Sequence, residues 1–241
     1  MSNNILKKIL EFSFGCLPTE DFESWLYQAK ETEETIGNEY YINLISINYF
    51  DIAQCLKAKI YASKIIFILD HELWSTFFRN ITEELINSIG TEFHGILRGS
   101  GITLHQAAVL DNRGSTHDFE IASRLDLDCH WDEIPQETVM AHPFILPFLD
   151  DIGFAYYIPA YINCILFQIK NKMKCNEWLC WNVYCALDIE SNQARNRFEM
   201  FSYGQKKAIS KFLMLLTLSN DEACCPEDCK KALLSYWINI T

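Results

Sequence analysis

The segment from Trp131 to Phe167 constrains the fold of this chain more than any other. It reads WDEIPQETVMAHPFILPFLDDIGFAYYIPAYINCILF and is rich in apolar and aromatic side chains. Because removal of apolar surface from water drives folding, most of such a stretch is expected in the interior of a domain. No arrangement of residues in it is typical of a catalytic centre. The segment therefore predicts a large packed core and indicates no substrate.

The composition is that of an ordered globular protein. Hydrophobic residues make up 49% of the 241 residues, charged residues 22% and aromatic residues 14%. A chain of this length can form one large domain or two small ones. We place a soft boundary near residue 70, which divides the chain into an N-terminal helical module, 1–69, and a second helical domain, 70–241.

The net charge of −12 is distributed unevenly. Residues 1–90 carry 13 acidic and 7 basic side chains, residues 91–170 carry 11 and 4, and residues 171–241 carry 8 and 9. An acidic surface repels the phosphate backbone, so nucleic-acid binding is disfavoured. The same surface suits a basic protein partner.

The ten cysteines and the apolar runs bear on the compartment. Lys7, Lys8 and Glu11 interrupt the first apolar run, so it does not have the continuous core of an export signal. The run 153–169 contains Pro159 and polar residues, which favours a core element over a membrane span. We therefore expect a cytoplasmic protein with reduced thiols and no membrane contact.

Helical periodicity and helix-capping residues dominate the secondary-structure pattern. Apolar side chains recur every four residues from Leu73 to Ile89, and helix starts are expected near Thr19, Asp70, Thr103, Ser202 and Pro226. Two apolar runs, 144–148 and 154–158, flank a segment that contains Asp and Gly, a pattern typical of a hairpin. The predicted fold is mainly α: a compact helical protein with a small antiparallel β-hairpin near residues 144–158.

The strongest candidate for chemistry is the alternating set Asp126, Asp128, His130 and Asp132. In an extended chain these side chains share one face. Carboxylates with an imidazole suit Mg²⁺, Mn²⁺ or Zn²⁺ and a hydrolytic reaction. The alternative, which we favour, is a polar loop that caps a helix and buries Trp131.

The cysteines offer a second candidate metal site. One trio is Cys224, Cys225 and Cys229, of which Cys225 and Cys229 have the spacing of half a zinc site. The other trio, Cys175, Cys180 and Cys185, is spaced by five, which on a helix turns successive thiols by about 140°. We therefore favour free thiols. A nucleophilic pair of Cys129 or Cys164 with His142 stays open.

Four segments carry a resemblance to a bacterial domain family of unknown function. They read GITLHQAAVLDNRG, LDLDCHWDEIP, LPFLDDIGFAYYIPAYI and SYGQKKAISKFL. Together they resemble the family pattern "W-dIp … FlD-Gf-fYlPAY … Q-aai-FL" over about residues 75–220. One departure is Ala155, where the family usually has a basic residue. The resemblance implies no catalytic residues.

The segment 5–50 resembles the helical module of small bacterial proteins found in toxin-immunity neighbourhoods. The resemblance rests on Asp21 to Tyr27 (DFESWLY) and on Gly37 to Tyr49. It departs at Thr32-Glu33-Glu34, where the spacing of acid and leucine is loose. It implies an immunity role and supplies no catalytic residue.

Together these observations favour a non-enzymatic cytosolic binding protein, an immunity-type protein that neutralises a cognate toxin by occlusion. We expect no cofactor. The acidic segments are the predicted binding residues: Glu31, Glu33, Glu34, Asp126, Asp128, Asp132 and Glu133. The alternative is a metal-dependent hydrolase that uses Asp126, Asp128, His130 and Asp132; a self-assembling structural protein is a third possibility.

Overall fold

A computed structural model describes residues 2–29, 31–190 and 194–240. Within these ranges the regular structure is entirely helical. The α-helices are α1 Ser2–Ser13, α2 Thr19–Gln28, α3 Glu31–Ile36, α4 Asn38–Ile45, α5 Ile52–Leu69, α6 His71–Glu92, α7 Leu104–Asp111, α8 Thr116–Ala122, α9 Gln136–Ala141, α10 Asp151–Lys170, α11 Glu177–Leu187, α12 Ala194–Glu199, α13 Tyr203–Thr217 and α14 Pro226–Ser235. Short 3-10 helices connect or follow them at Trp131–Glu133, Leu146–Phe148, Glu222–Cys224 and Trp237–Ile240.

The predicted β-hairpin near residues 144–158 is wrong. The first apolar run forms a 3-10 turn, and the second lies inside α10, which begins at Asp151. The carboxylate of Asp150 caps this helix by accepting from the backbone N–H of Gly153 at 2.8 Å. A short apolar run suits a buried strand and a buried helix equally well, and here the helix is enclosed on all sides.

Helix α10 is the centre of the molecule. From Gly153 to Ile162 every residue is buried, which explains why the sequence lacks an amphipathic stripe here. Among the described helices it is the one long and apolar enough to cross a bilayer, but 72% of its most apolar window is buried in the protein. That burial is consistent with the core helix of a soluble protein.

The N-terminal helices share this core. The rings of Phe12 and Phe22 stack at 3.8 Å, and Phe14 contacts Phe77 and Phe78 of α6. Buried side chains from Ile5 to Trp237 form one continuous cluster. The division at residue 70 stays a prediction, since this packing crosses it.

Most of the predicted helix starts are confirmed. Thr103 and Ser202 each form a reciprocal capping box with the glutamine three residues later. Asp70 accepts from the backbone N–H of Leu73, and Pro226 is the first residue of α14. The helix start near Thr19 is also confirmed, but Thr19 is the first residue of α2 and not its cap, and no side chain caps this helix.

Candidate functional site

The loop that carries the acidic cluster is held in place by Arg98, which lies between α6 and α7. Its guanidinium donates to the Asp128 carboxylate at 3.2 Å, to the hydroxyl of Tyr157 at 3.0 Å and to the backbone carbonyl of Asp126 at 3.0 Å. The Arg98–Asp128 ion pair is largely buried. These contacts attach the loop to the first half of α10.

Both carboxylates of this loop have further partners. Asp126 is buried, and its oxygens contact the ring of His105 at 2.9 Å and the backbone N–H of the same residue at 3.1 Å. Asp128 accepts from the hydroxyl of Tyr156 at 2.9 Å. Burial raises the pKa of Tyr156, and the hydrogen bond to this carboxylate raises it further. The hydroxyl therefore stays a donor at neutral pH.

A pair of histidines borders this network. The rings of His105 and His142 lie edge to face with 5.0 Å between centroids. Burial and the neighbouring His105 lower the pKa of His142. The hydroxyl of Tyr161 donates to the backbone carbonyl of His142, which fixes the end of α9 against α10.

The two cysteines considered as partners of His142 contact other groups. The Cys164 thiol lies 4.0 Å from the side-chain nitrogen of Gln168, and the Cys129 thiol lies 3.9 Å from the carbonyl of Leu127. Burial raises the pKa of Cys164 to about 11, so it is a protonated, weak nucleophile at neutral pH.

The four residues of the hydrolase hypothesis are dispersed. Asp126 and Asp128 point inward to the partners described above, whereas His130 and Asp132 are exposed. Among the described residues, these four do not form a group whose ligand atoms lie within 4.8 Å of one another. The hydrolase reading stays a prediction.

The outer side of the same loop is apolar and acidic. Trp131 is buried and its indole N–H donates to the carbonyl of Phe93 at 2.9 Å, which holds the loop from within. Leu125 and Leu127 project outward, the latter with 83% of its surface exposed. Asp132 and Glu133 are exposed beside them. We call the exposed residues of 125–133 the leucine loop surface.

The second acidic segment lies on α3. Glu31, Glu33 and Glu34 are all exposed, and none of them forms an ion pair within the described residues. Thr32 and Ile36 are the buried residues of this short helix. The three carboxylates are thus free to meet a partner.

Three of the six cysteines that we considered from the sequence as a candidate metal site, and for which we favoured free thiols, lie together in the structure. The sulfur atoms of Cys175, Cys180 and Cys224 all lie within 4.8 Å of one another, and all three residues are buried. We call this group the thiol triad. It is the one set of three or more potential metal ligands that lie together in the described part of the chain.

From the sequence, we expected cysteines spaced by five on a helix to point in different directions. This expectation fails because Cys175 does not lie on the helix. Asn176 caps α11, which begins at Glu177, so Cys175 precedes the helix and is free of its rotation. The third thiol comes from the 3-10 turn before α14. Cys225 and Cys229, the predicted half-site, lie outside the triad, and the Cys229 thiol donates to the carbonyl of Cys224 at 3.4 Å.

The thiol triad borders a cavity of about 400 Å³. Its wall combines aromatic, cationic and sulfur-bearing side chains: Phe67, Trp74, Arg79, Lys172, Cys175 and Cys224. Cys175 and Cys224 are thus the two members of the triad that border this cavity.

Comparison with known proteins gives the family. A model of a family of unknown function, DUF6714, matches residues 81–241. This chain belongs to DUF6714. No curated protein and no solved structure matches it.

The DUF6714 region begins within α6 and includes both the leucine loop surface and the thiol triad. The resemblance to a domain of unknown function is confirmed at this coarse level. The particular sequence pattern and the toxin-immunity resemblance of residues 5–50, which lie outside the matched region, stay predictions.

Sequence reasoning missed Arg98 and the tyrosines that it joins. Arg98 is separated from Asp128 by 30 positions and from Tyr157 by 59. The segment LRGSG indicates a turn, and nothing in it shows where the guanidinium points. The one available signal was an arginine beside glycines in a region of net negative charge.

Proposed function

We propose that this DUF6714 protein is a non-enzymatic cytosolic binding protein of the immunity type, which neutralises a basic cognate toxin by occlusion. The observation that supports the proposal best is the leucine loop surface. On the inner side of the loop, the carboxylates of Asp126 and Asp128 are bound by Arg98, His105 and Tyr156. On its outer side, Leu125 and Leu127 are left in water. A loop that is fixed from inside and apolar outside is suited to docking.

Charge complementarity supports a basic partner. The net charge of the chain is −12, and the region 91–170 has 11 acidic against 4 basic residues. Opposite charge on two proteins speeds their association and suppresses wrong partners. An enzyme toxin that acts on nucleic acid needs a basic surface, so an acidic protein of this kind can cover it.

Exposed apolar side chains can supply the free energy of binding that charge complementarity alone does not. A stable interface buries about 1,600 Å² in total, and a few apolar or aromatic residues at its centre contribute most of the free energy. Leu125 and Leu127 are candidates for that role, together with Leu97 in the segment that Arg98 ties to the loop. Asp132 and Glu133 would lie at the rim.

The carboxylates of α3 are a second candidate contact. Glu31, Glu33 and Glu34 provide three exposed charges in one helical turn. Exposed charges at the rim change the association rate more than the lifetime of a complex. We assign them a steering role.

The test uses the product of the gene that lies next to this one in the genome. Calorimetry with the purified pair should give a one-to-one complex, and the toxin's activity should fall in proportion to the complex formed. Leu127→Arg should weaken binding by about tenfold or more, since one interface residue is commonly worth 1.4 kcal/mol. Raising the salt concentration should slow association.

Phe50→Arg is the matched control. Phe50 is 87% exposed, close to the 83% of Leu127, and it lies in the N-terminal part of the chain. It should leave the affinity within about twofold of the wild type. The proposal fails if neither adjacent gene product binds, or if Phe50→Arg and Leu127→Arg weaken the complex equally.

A metal assay separates the hydrolase alternative from this proposal. Under that alternative, Asp126, Asp128, His130 and Asp132 hold a catalytic ion, and His130 and Asp132 are its exposed ligands. His130→Ala and Asp132→Asn would then abolish both metal binding and hydrolysis. Under the proposal made here, neither substitution changes the metal content.

A further inference from the structure

We propose that Cys175, Cys180 and Cys224 bind one Zn²⁺ ion, with the fourth coordination position directed to the adjoining cavity. The site is separate from the leucine loop surface and does not depend on the binding function proposed above. It lies within residues 81–241, the region that defines the family.

The geometry of the sulfur atoms fits zinc after a small contraction. Zinc–sulfur bonds of about 2.3 Å in a tetrahedral site place the sulfur atoms about 3.8 Å apart. In the thiol triad all three sulfur atoms already lie within 4.8 Å of one another. Small rotations of the three side chains can remove the difference.

The position of the triad argues against a chance meeting of small hydrophobic residues. The three cysteines come from three separate segments: the loop after α10, helix α11 and the 3-10 turn before α14. Their thiols converge on one point, although each could pack alone as an apolar side chain. Convergence of soft donors is what a thiophilic ion requires.

Zinc is bound by thiolates and not by thiols, so each cysteine of the triad must lose its proton when the ion binds. Metal binding should therefore release protons, as it does at other thiolate sites.

The charge around the site selects zinc over copper. Three thiolates with Zn²⁺ carry a net charge of −1, whereas Cu⁺ would leave −2 in a buried place. Arg79, Lys170 and Lys172 line the same cavity together with one acidic residue, Asp221, so the lining carries a net positive charge that can offset a single negative charge. Mg²⁺ and Ca²⁺ prefer oxygen ligands and do not suit the site.

In a structural zinc site the protein supplies all four ligands. The site proposed here differs because its fourth coordination position is left for a ligand from the cavity. Cys175 and Cys224 line the cavity, so an ion bound by them can also be reached from it. A water molecule or a small anionic or sulfur-bearing ligand would complete the coordination. The aromatic wall of Phe67 and Trp74 would contact the rest of such a ligand.

The experiment uses the full chain, purified under a reducing agent and stripped of metal. Titration with Zn²⁺ against a chromophoric chelator should give one ion per chain. Substitution with Co²⁺ should produce sulfur-to-cobalt charge-transfer absorption and the visible bands of tetrahedral cobalt. Alkylation followed by mass spectrometry should show three cysteines protected by zinc, a result that requires no variant.

Variants locate the site. Cys180→Ser and Cys224→Ser should each weaken zinc binding by about a hundredfold or more, because a ligand is lost. Cys185→Ser is the matched control on the same helix α11, since Cys185 is only half-buried and lies outside the triad. It should leave the affinity unchanged.

Three results would overturn the proposal. The first is a chain that takes up no zinc, and the second is binding of Cu⁺ alone. The third is zinc that survives Cys180→Ser but is lost in Asp132→Asn, which would place the ion in the acidic loop. If Cys180→Ser does not fold, Cys175→Ser, in the loop before α11, and the alkylation pattern decide the outcome.

Discussion

Two buried polar clusters lie toward opposite ends of α10, and they differ in how their groups are satisfied. Near its first half, Arg98 and the two aspartates form a network in which the carboxylate oxygens contact donors from the protein. Beyond its last residue, the thiol triad offers three sulfur atoms that lie close to one another.

This difference in hydrogen bonding indicates which of the two buried clusters is able to bind a ligand. Carboxylates that accept from arginine, tyrosine, histidine and backbone donors have little left to offer a metal ion. Thiols are weak hydrogen-bonding groups, and their thiolates bind soft cations strongly. The inward carboxylates of Asp126 and Asp128 therefore have less capacity for a metal ion than the three cysteines of the thiol triad.

The largest expected effect follows from breaking the first cluster. Arg98→Ala leaves the buried Asp128 carboxylate without its ion partner, and it should lower the free energy of unfolding by about 3 kcal/mol. Urea denaturation followed by tryptophan fluorescence measures this change in the free energy of unfolding. A loss below about 1 kcal/mol would show that the loop is not held by this contact.

The surface pair Lys231–Asp228 is the control for that measurement. Its nitrogen–oxygen distance, 3.1 Å, nearly equals the 3.2 Å of the Arg98 pair, but the lysine side chain is 74% exposed against 18% for Arg98. Lys231→Ala should therefore cost about 0.5 kcal/mol or less.

The next effect concerns the second cluster. Zinc at a hundred times its dissociation constant should raise the free energy of unfolding by about 2.7 kcal/mol, since it binds the folded state. Thermal unfolding with and without zinc tests this. The increase should vanish in Cys224→Ser, and an equal increase in that variant would place the ion elsewhere.

A smaller effect tests how closely the loop before α7 approaches α10. A methyl group on Gly153 would lie 2.5 Å from the carbonyl oxygen of Ile102, so Gly153→Ala should cost about 2 kcal/mol. Gly90→Ala, inside α6 with no atom within 4 Å, should instead stabilise by up to about 1 kcal/mol. Equal signs for the two variants would contradict the close approach.

The smallest effect is a pH dependence at the edge of the first cluster. Burial and His105 lower the pKa of His142 in the folded state below the ordinary histidine value of 6.5. The unfolded state therefore binds more protons, so stability is full above about pH 6.5 and falls as the pH drops toward the folded-state pKa. His142→Gln should lose less stability than the wild type between pH 7 and 5 in thermal melts. Parallel curves would contradict this.

The helices were largely predictable because their signals are local. Thr103 and Ser202 with their glutamines, Asp70 and Pro226 each act within one helical turn. The hairpin failed because α10 is apolar on every side, so periodicity carried no information there. Tertiary contacts around this segment decided that it forms a helix and not a strand.

The candidate sites were less predictable than the helices. The acidic loop was found from its charges, but its inward side chains depend on Arg98, 30 positions away. We favoured free thiols because a spacing of five on a helix turns successive thiols apart. Cys175, however, precedes the cap of α11, so the rotation of that helix does not set the direction of its thiol.

The amino-acid order alone was sufficient for the helical class, the acidic character and most of the helix caps, since each of these depends on neighbours within a few residues or on composition. Three-dimensional packing settled which carboxylates turn inward and which cysteines meet. Those outcomes join positions separated by tens of residues, such as Cys180 and Cys224. Hydrophobic burial places such groups together only when the whole core has formed.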